Sequence, residues 1–247
     1  MQQETGRRFD LYEQQVEREM QSWIRKVNRK STLGNQLAKS AQTKINEMIP
    51  EKIHQAITTT VKQMVRGVLY GASYTAPEIA QDLSFQEREN LVLQRIEFYK
   101  RTAAAEGGIT GMGGIISGIA DFPLLLGIKL KLLFDIAAFY GYPVKDFKER
   151  LYMLYIFQLA FSSQTHRKLV FSQIENWDQF AATLPDDINQ FDWRTFQLEY
   201  RDHIDLAKMA QLVPVIGAVV GLVVNYRLVR KLGDTAMNCY RMRYFKK

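Results

Sequence analysis

The sequence predicts an all-α protein, a single multi-helix domain in which glycine-rich helices pack closely together. Three observations predict it. Apolar side chains recur every three or four residues along most of the 247 positions, the period that lines one face of an α-helix. No convincing run of alternating strand pattern is present. Two stripes of small residues stand at helical spacing, one from Gly107 to Gly118 and one from Pro214 to Gly221, and small residues let helix backbones approach closely. With 47% hydrophobic and 24% charged residues, the composition is that of a globular chain. A slightly negative mean hydropathy argues against many membrane spans. No repeat, low-complexity tract or Pro/Gly/Ser linker divides the chain.

The first 30 residues read as an amphipathic helix, set before a helical domain over 31–247. Phe9, Tyr12, Val16, Met20, Trp23 and Val27 form one stripe, and the mixed acids and bases opposite favour docking on protein over lying in a membrane. Ser31-Thr32 can cap a second helix through Leu33, Leu37, Ala41, Ile45 and Met48, which Pro50 ends. A third runs through Ile53, Ile57, Val61, Met64 and Val68, and 71–77 read as a loop. Ser84 with Glu87 makes a capping box that opens a helix through Leu91, Arg95, Phe98 and Thr102 into the glycine segment.

That segment, Glu106 to Pro123, holds Gly107, Gly111, Gly114 and Gly118 at spacings that put them on one face of one helix, with Asp121 extending it. Each interior glycine costs about 1 kcal/mol against Ala, so a close neighbour is expected. Asp121, two residues before Pro123, reads as a cap for the next helix. That helix, 124–140, carries Lys129, Lys131 and Asp135 among apolar residues, with Gly141 as its C-terminal cap and Pro143 as its stop. Asp146 with Glu149 makes a second box-like start, before an apolar stretch Leu151–Phe161 too short to span a bilayer. Residues 176–192 are the least regular. From His203 to about Tyr244 the pattern gives one or two helices that Pro214 starts or kinks.

A membrane reading competes with a core reading. In the segment around Asp121 the apolar gain is about 3–5 kcal/mol, and the acid alone takes back about 3. Residues 209–226 have no charge and are the better candidate for a short inserted segment, although Gln211, Pro214, Gly217, Gly221 and Asn225 suit a buried helix equally. The tail that follows holds Arg227, Arg230, Lys231, Arg241, Arg243, Lys246 and Lys247 against Asp234 alone, or +6 of the chain's +7. Such a tract meets anionic lipid, at about 1 kcal/mol per basic residue near the surface, or is simply a solvated helix end. Nucleic acid is not expected, since no reading motif accompanies the charge.

Chemistry is sparse. His54, His166 and His203 lack partners at metal-ligand spacing, and Gly111-Met112-Gly113-Gly114 has Ile116 where a dinucleotide fingerprint needs its last glycine. No metal and no cofactor are therefore expected. Glu106 and Asp121 are the candidate acids if the protein is instead a hydrolase acting on lipid or peptide. Cys239 is the single cysteine, and no apolar core of a signal peptide follows the start; a reducing cytoplasm is the expected compartment.

The assembled motifs resemble the EcsC family. They are Ala-Ala-Glu106-Gly-Gly-Ile-Thr-Gly-Met-Gly-Gly, Ile119-Ala-Asp121-Phe-Pro123 with Lys129 and Lys131, Tyr140-Gly141-Tyr142, Glu149-Arg150-Leu151, Leu159-Ala-Phe161, and Val213-Pro214-Val-Ile-Gly217-Ala-Val-Val-Gly221 with Asn225-Tyr226. Ile49-Pro50-Glu51-Lys52 fits too, so the likeness covers about residue 40 onward. It implies a bacterial accessory protein encoded with the ATPase and membrane subunits of an ABC transporter and connected with exoprotein secretion. The expected partners are that membrane subunit or an anionic membrane surface, on the cytoplasmic side. The resemblance supplies no catalytic residue.

Overall fold

The computed structural model describes residues 10–29, 82–110, 114–162, 164–186 and 217–246, with single positions at 59, 63, 67, 77 and 190. Of 106–110, 114–123, 164–165, 217–222 and 224 only the backbone is described. The described residues form seven helices and no strand: α1 Leu11–Asn28, α2 Phe85–Thr110, α3 Gly114–Phe139, α4 Phe147–Phe161, α5 Gln164–Glu175, α6 Trp177–Ala182 and α7 Gly217–Phe245. The fold is all-α, as the periodicity predicts. The expected second helix and most of the third lie outside the described residues; Thr59, Gln63 and Gly67 of the third are helical.

Local signals set several boundaries. The Ser84 hydroxyl accepts from the Glu87 N–H at 3.3 Å while the Glu87 carboxylate accepts from the Ser84 N–H at 2.8 Å, so the predicted box starts α2. Asp10 and Glu13 make the same reciprocal pair at the start of α1, a box the apolar stripe had overshadowed. Gly141 ends α3 with φ +81°, a left-handed conformation that glycine adopts without steric cost. Its N–H and that of Tyr142 close back on the carbonyls of Ala138 and Ala137. Asp146 caps α4 by accepting from the Glu149 N–H at 2.9 Å. Glu149 does not return the bond to the cap; its carboxylate turns into the core.

Three expectations are corrected. Gly107 belongs to α2, whereas Gly114 and Gly118 belong to α3, with Gly111 outside the described residues, so the four glycines do not share a face of one helix. Asp121 is no cap: α3 runs unbroken through it and through Pro123, at the cost of the one ladder bond that a proline nitrogen cannot donate. The buried face of α2 is Phe85, Val92, Ile96, Tyr99 and Ala103, one position away from the Leu91–Arg95–Phe98–Thr102 path, and Phe98 stands 55% exposed. Tertiary packing decides which stripe is buried, because α2 is pressed from two sides.

Those two neighbours are α3 and α7. Arg88 donates to the Phe139 carbonyl at 3.2 Å, and Tyr99 reaches Asp135 at 2.9 Å, so α2 and α3 are an antiparallel pair. Against α7 the ladder reads Glu89 with Arg241, Ile96 with Gly233, and Lys100 over the Tyr226 ring at 4.4 Å, again antiparallel. α7 packs also on α4, α3 and α1 and is the axis of the molecule. α4 is buried on every side, from Leu151 to Phe161, as an apolar helix without a polar face must be. Trp23 of α1 meets Phe171 of α5 edge-on at 5.9 Å.

A close helix approach falls at Gly233, which no small-residue stripe had singled out. A Cβ there would lie 2.7 Å from Ile96 Cγ1, 2.8 Å from Cδ1 and 3.0 Å from Cγ2. Rotating Ile96 only exchanges one branch for the other, and Ile96 is itself buried. We predict that Gly233→Ala loses about 1–3 kcal/mol despite its better helix propensity, and that adding Ile96→Ala recovers part of the loss. A Gly233→Ala protein that melts at or above the parent temperature refutes the close approach.

Candidate functional site

Two of the basic residues expected to face an anionic partner turn inward. Arg241 Nε and Nη2 each donate at 2.7 Å to the two oxygens of Glu89, a carboxylate with no exposed surface. Tyr12 adds a hydroxyl at 3.1 Å and Tyr140 a second. The pairing is bidentate and charge-assisted, the strongest kind of side-chain hydrogen bond. Arg243 donates to Glu149 at 2.7 Å, Tyr240 donates to the other Glu149 oxygen at 2.7 Å, and the guanidinium lies 3.8 Å from the Tyr142 ring centroid. Burial holds the Glu149 carboxyl above its ordinary value despite Arg243 and Tyr240, and pushes the Tyr12 hydroxyl up to about 12. Arg241 and Arg243 thus neutralise acids that the core already holds, because a buried carboxylate without a partner is costly. Sequence spacing could not reveal this, since 152 positions separate Glu89 from Arg241.

A second polar cluster sits between α2 and α3. Asp135, fully buried, accepts from Tyr99 at 2.9 Å and from Lys131, and Arg95 lies at 3.4 Å. These contacts account for two of the three charges that interrupt α3. The third, Lys129, has no exposed surface and donates to the Leu125 carbonyl of its own helix at 3.2 Å. Burial lowers its amine to about 7. Asn225 is buried too, with neither amide atom hydrogen-bonded. Among the described residues no group of three or more acids, histidines or cysteines could hold a metal.

The surface feature built from charge is a groove of about 360 Å³ between α1, α5 and α7. Lys26 comes from α1, Arg167 from α5, and Arg227, Arg230 and Lys231 from α7; Asp234 is the one acid. Trp23, Val27 and Leu159 supply the apolar part of its lining. Arg230 stands 3.7 Å from Asp234, both more than half exposed, a surface pair of the kind that contributes little. Five cations against one acid make a field that attracts anions.

The groove therefore gathers Arg227, Arg230 and Lys231 and adds Lys26 and Arg167, which the sequence gave no reason to join to them. Lys246 instead donates to the Glu175 carbonyl. Lys247 and Pro214 lie outside the described residues, as does the 209–216 part of the candidate inserted segment. Gly217 and Gly221 fall in the first turns of α7. Glu106 and Asp121 are placed in the backbones of α2 and α3, and their carboxylates lie outside the described side chains. Among the described residues no helix is long and apolar enough to cross a membrane.

Comparisons with known proteins agree with the motifs. The chain is 45% identical to Protein EcsC of Bacillus subtilis (strain 168) over 91% of its own length and 92% of that protein. It is 27% identical to the uncharacterized protein YdbA of the same organism, over 97% of this chain and 94% of that one. No solved structure matches. The EcsC protein family matches residues 14–245, from within α1 to the end of α7, and the chain therefore belongs to the EcsC family.

Proposed function

We propose that this protein is a non-enzymatic, membrane-associated accessory protein on the cytoplasmic side of the cell membrane, linked to an ABC transporter and to protein secretion. The observation that carries the reading is the groove: five basic side chains from three helices converge at the surface, while the acids Glu89, Asp135 and Glu149 are buried. The transporter and secretion parts are what the resemblance of its motifs to the EcsC family implies. The association is peripheral and electrostatic. Exposed charges act over a Debye length of about 8 Å at physiological salt, so the contact weakens as salt rises.

Cell fractionation tests this. The protein is expected in the membrane fraction at low ionic strength and in the soluble fraction after a high-salt wash. Arg227→Glu/Arg230→Glu should move it to the soluble fraction at low salt with an unchanged thermal melt, since both side chains are exposed. Recovery in the soluble fraction under every condition, or retention that only detergent releases, counts against the proposal.

A further inference from the structure

We infer that the groove between α1, α5 and α7 is a discrete site for one phosphate-bearing lipid headgroup, with the start of its chain against Trp23, Val27 and Leu159. This inference rests on the membrane reading and makes it specific: it concerns a pocket of fixed composition, beyond a general attraction between a basic face and an anionic surface.

Several observations favour that occupant. The cations are not strung along one helix. Lys26, Arg167 and Arg227 belong to three different helices and meet at one cavity, the arrangement that a compact, multiply charged anion rewards. Arginine supplies three of the five charges, and its planar fork suits phosphate oxygens. The cavity, about 360 Å³, is in the range of small-molecule sites and too small for a nucleic-acid strand. Its apolar lining is uncalled for by a free inorganic anion and fits the glycerol and first methylenes of a lipid. Trp23 is half-buried there, held edge-on by Phe171, with its indole beside the cations as interfacial tryptophans stand at headgroup level.

The test uses the intact protein and short-chain lipids below their micelle-forming concentration, read by tryptophan fluorescence and by calorimetry. Dihexanoyl phosphatidate and dihexanoyl phosphatidylglycerol are expected to bind saturably at one site per chain, and dihexanoyl phosphatidylcholine is not. Lys26→Glu/Arg227→Glu should weaken binding about tenfold or more. Lys145→Glu/Lys168→Glu, an equal charge change at exposed positions off the groove, should leave it unchanged. Inorganic phosphate and glycerol 3-phosphate should compete only at much higher concentration. Equal binding of phosphatidylcholine, equal loss in both charge variants, or saturation by inorganic phosphate at the lipid's concentration would each overturn the inference. Any of these results leaves the salt-released membrane fraction as a separate finding, whereas absence from that fraction removes the broader reading.

Discussion

Arg241→Met is expected to cost the fold about 3–5 kcal/mol. The methionine keeps the length of the stem and removes the guanidinium, which leaves the Glu89 carboxyl with no exposed surface and only the hydroxyls of Tyr12 and Tyr140 beside it. Two hydroxyls do not replace a bidentate cation at 2.7 Å. Removing both charges is a different matter: Glu89→Leu/Arg241→Met should lose far less than the single change, because no uncompensated charge remains. Urea denaturation of the two single variants and the double variant measures this as a shift in midpoint. A single Arg241→Met variant within 1 kcal/mol of the parent by linear extrapolation would show that the pair is hydrated. It follows that a deletion of the basic residues from 241 onward would report on folding before it reported on membrane attachment; the groove residues are the right ones to change.

Lys129→Met should act in the opposite direction and stabilise the protein. Burial lowers the Lys129 amine to about 7, below its unfolded value near 10.4. Below pH 7 the amine is protonated in both states and the fold carries the whole cost of a buried ammonium. Between about pH 7 and 10 the unfolded chain holds a proton that the folded one lacks, so this group makes stability rise with pH. The gap corresponds to on the order of 5 kcal/mol. The methionine variant should therefore melt higher than the parent at pH 6, with the difference shrinking toward pH 10. A variant that melts lower at pH 6, or whose melting temperature climbs with pH as the parent's does, would show that Lys129 meets a partner or water.

Helix content was legible in the sequence where a local signal existed. The Ser84–Glu87 box, the Gly141 cap and the all-round apolar stretch of α4 each depend on residues within a turn or two of one another. What the sequence hid is whatever joins distant segments. Glu89 looked like one more charge on a helix among Glu87, Arg88 and Glu97, and its burial is decided by α7. The same holds for Gly233, whose role appears only with Ile96 opposite. The glycine run misled because spacing alone presumes one continuous helix, and the described glycines of the run are divided between α2 and α3. The basic tail was read as a unit, and Arg227, Arg230 and Arg241 do fall on one side of α7; what differs is what covers that face, since Arg227 and Arg230 are exposed while Arg241 meets Glu89.

The position of α7 as the axis has a consequence for how the chain comes into being. Its partners Glu89 and Glu149 are synthesised 152 and 91 residues before the side chains that meet them, Arg241 and Tyr240. A ribosome therefore delivers α2, α3 and α4, with their apolar faces uncovered, well before the helix that closes over them. Loop-closure entropy makes contacts of such long separation form late and slowly. Until α7 emerges, the α2–α3 pair and the side of α4 that α7 covers lack that partner, and exposed apolar surface of this kind is what aggregates and what chaperones hold.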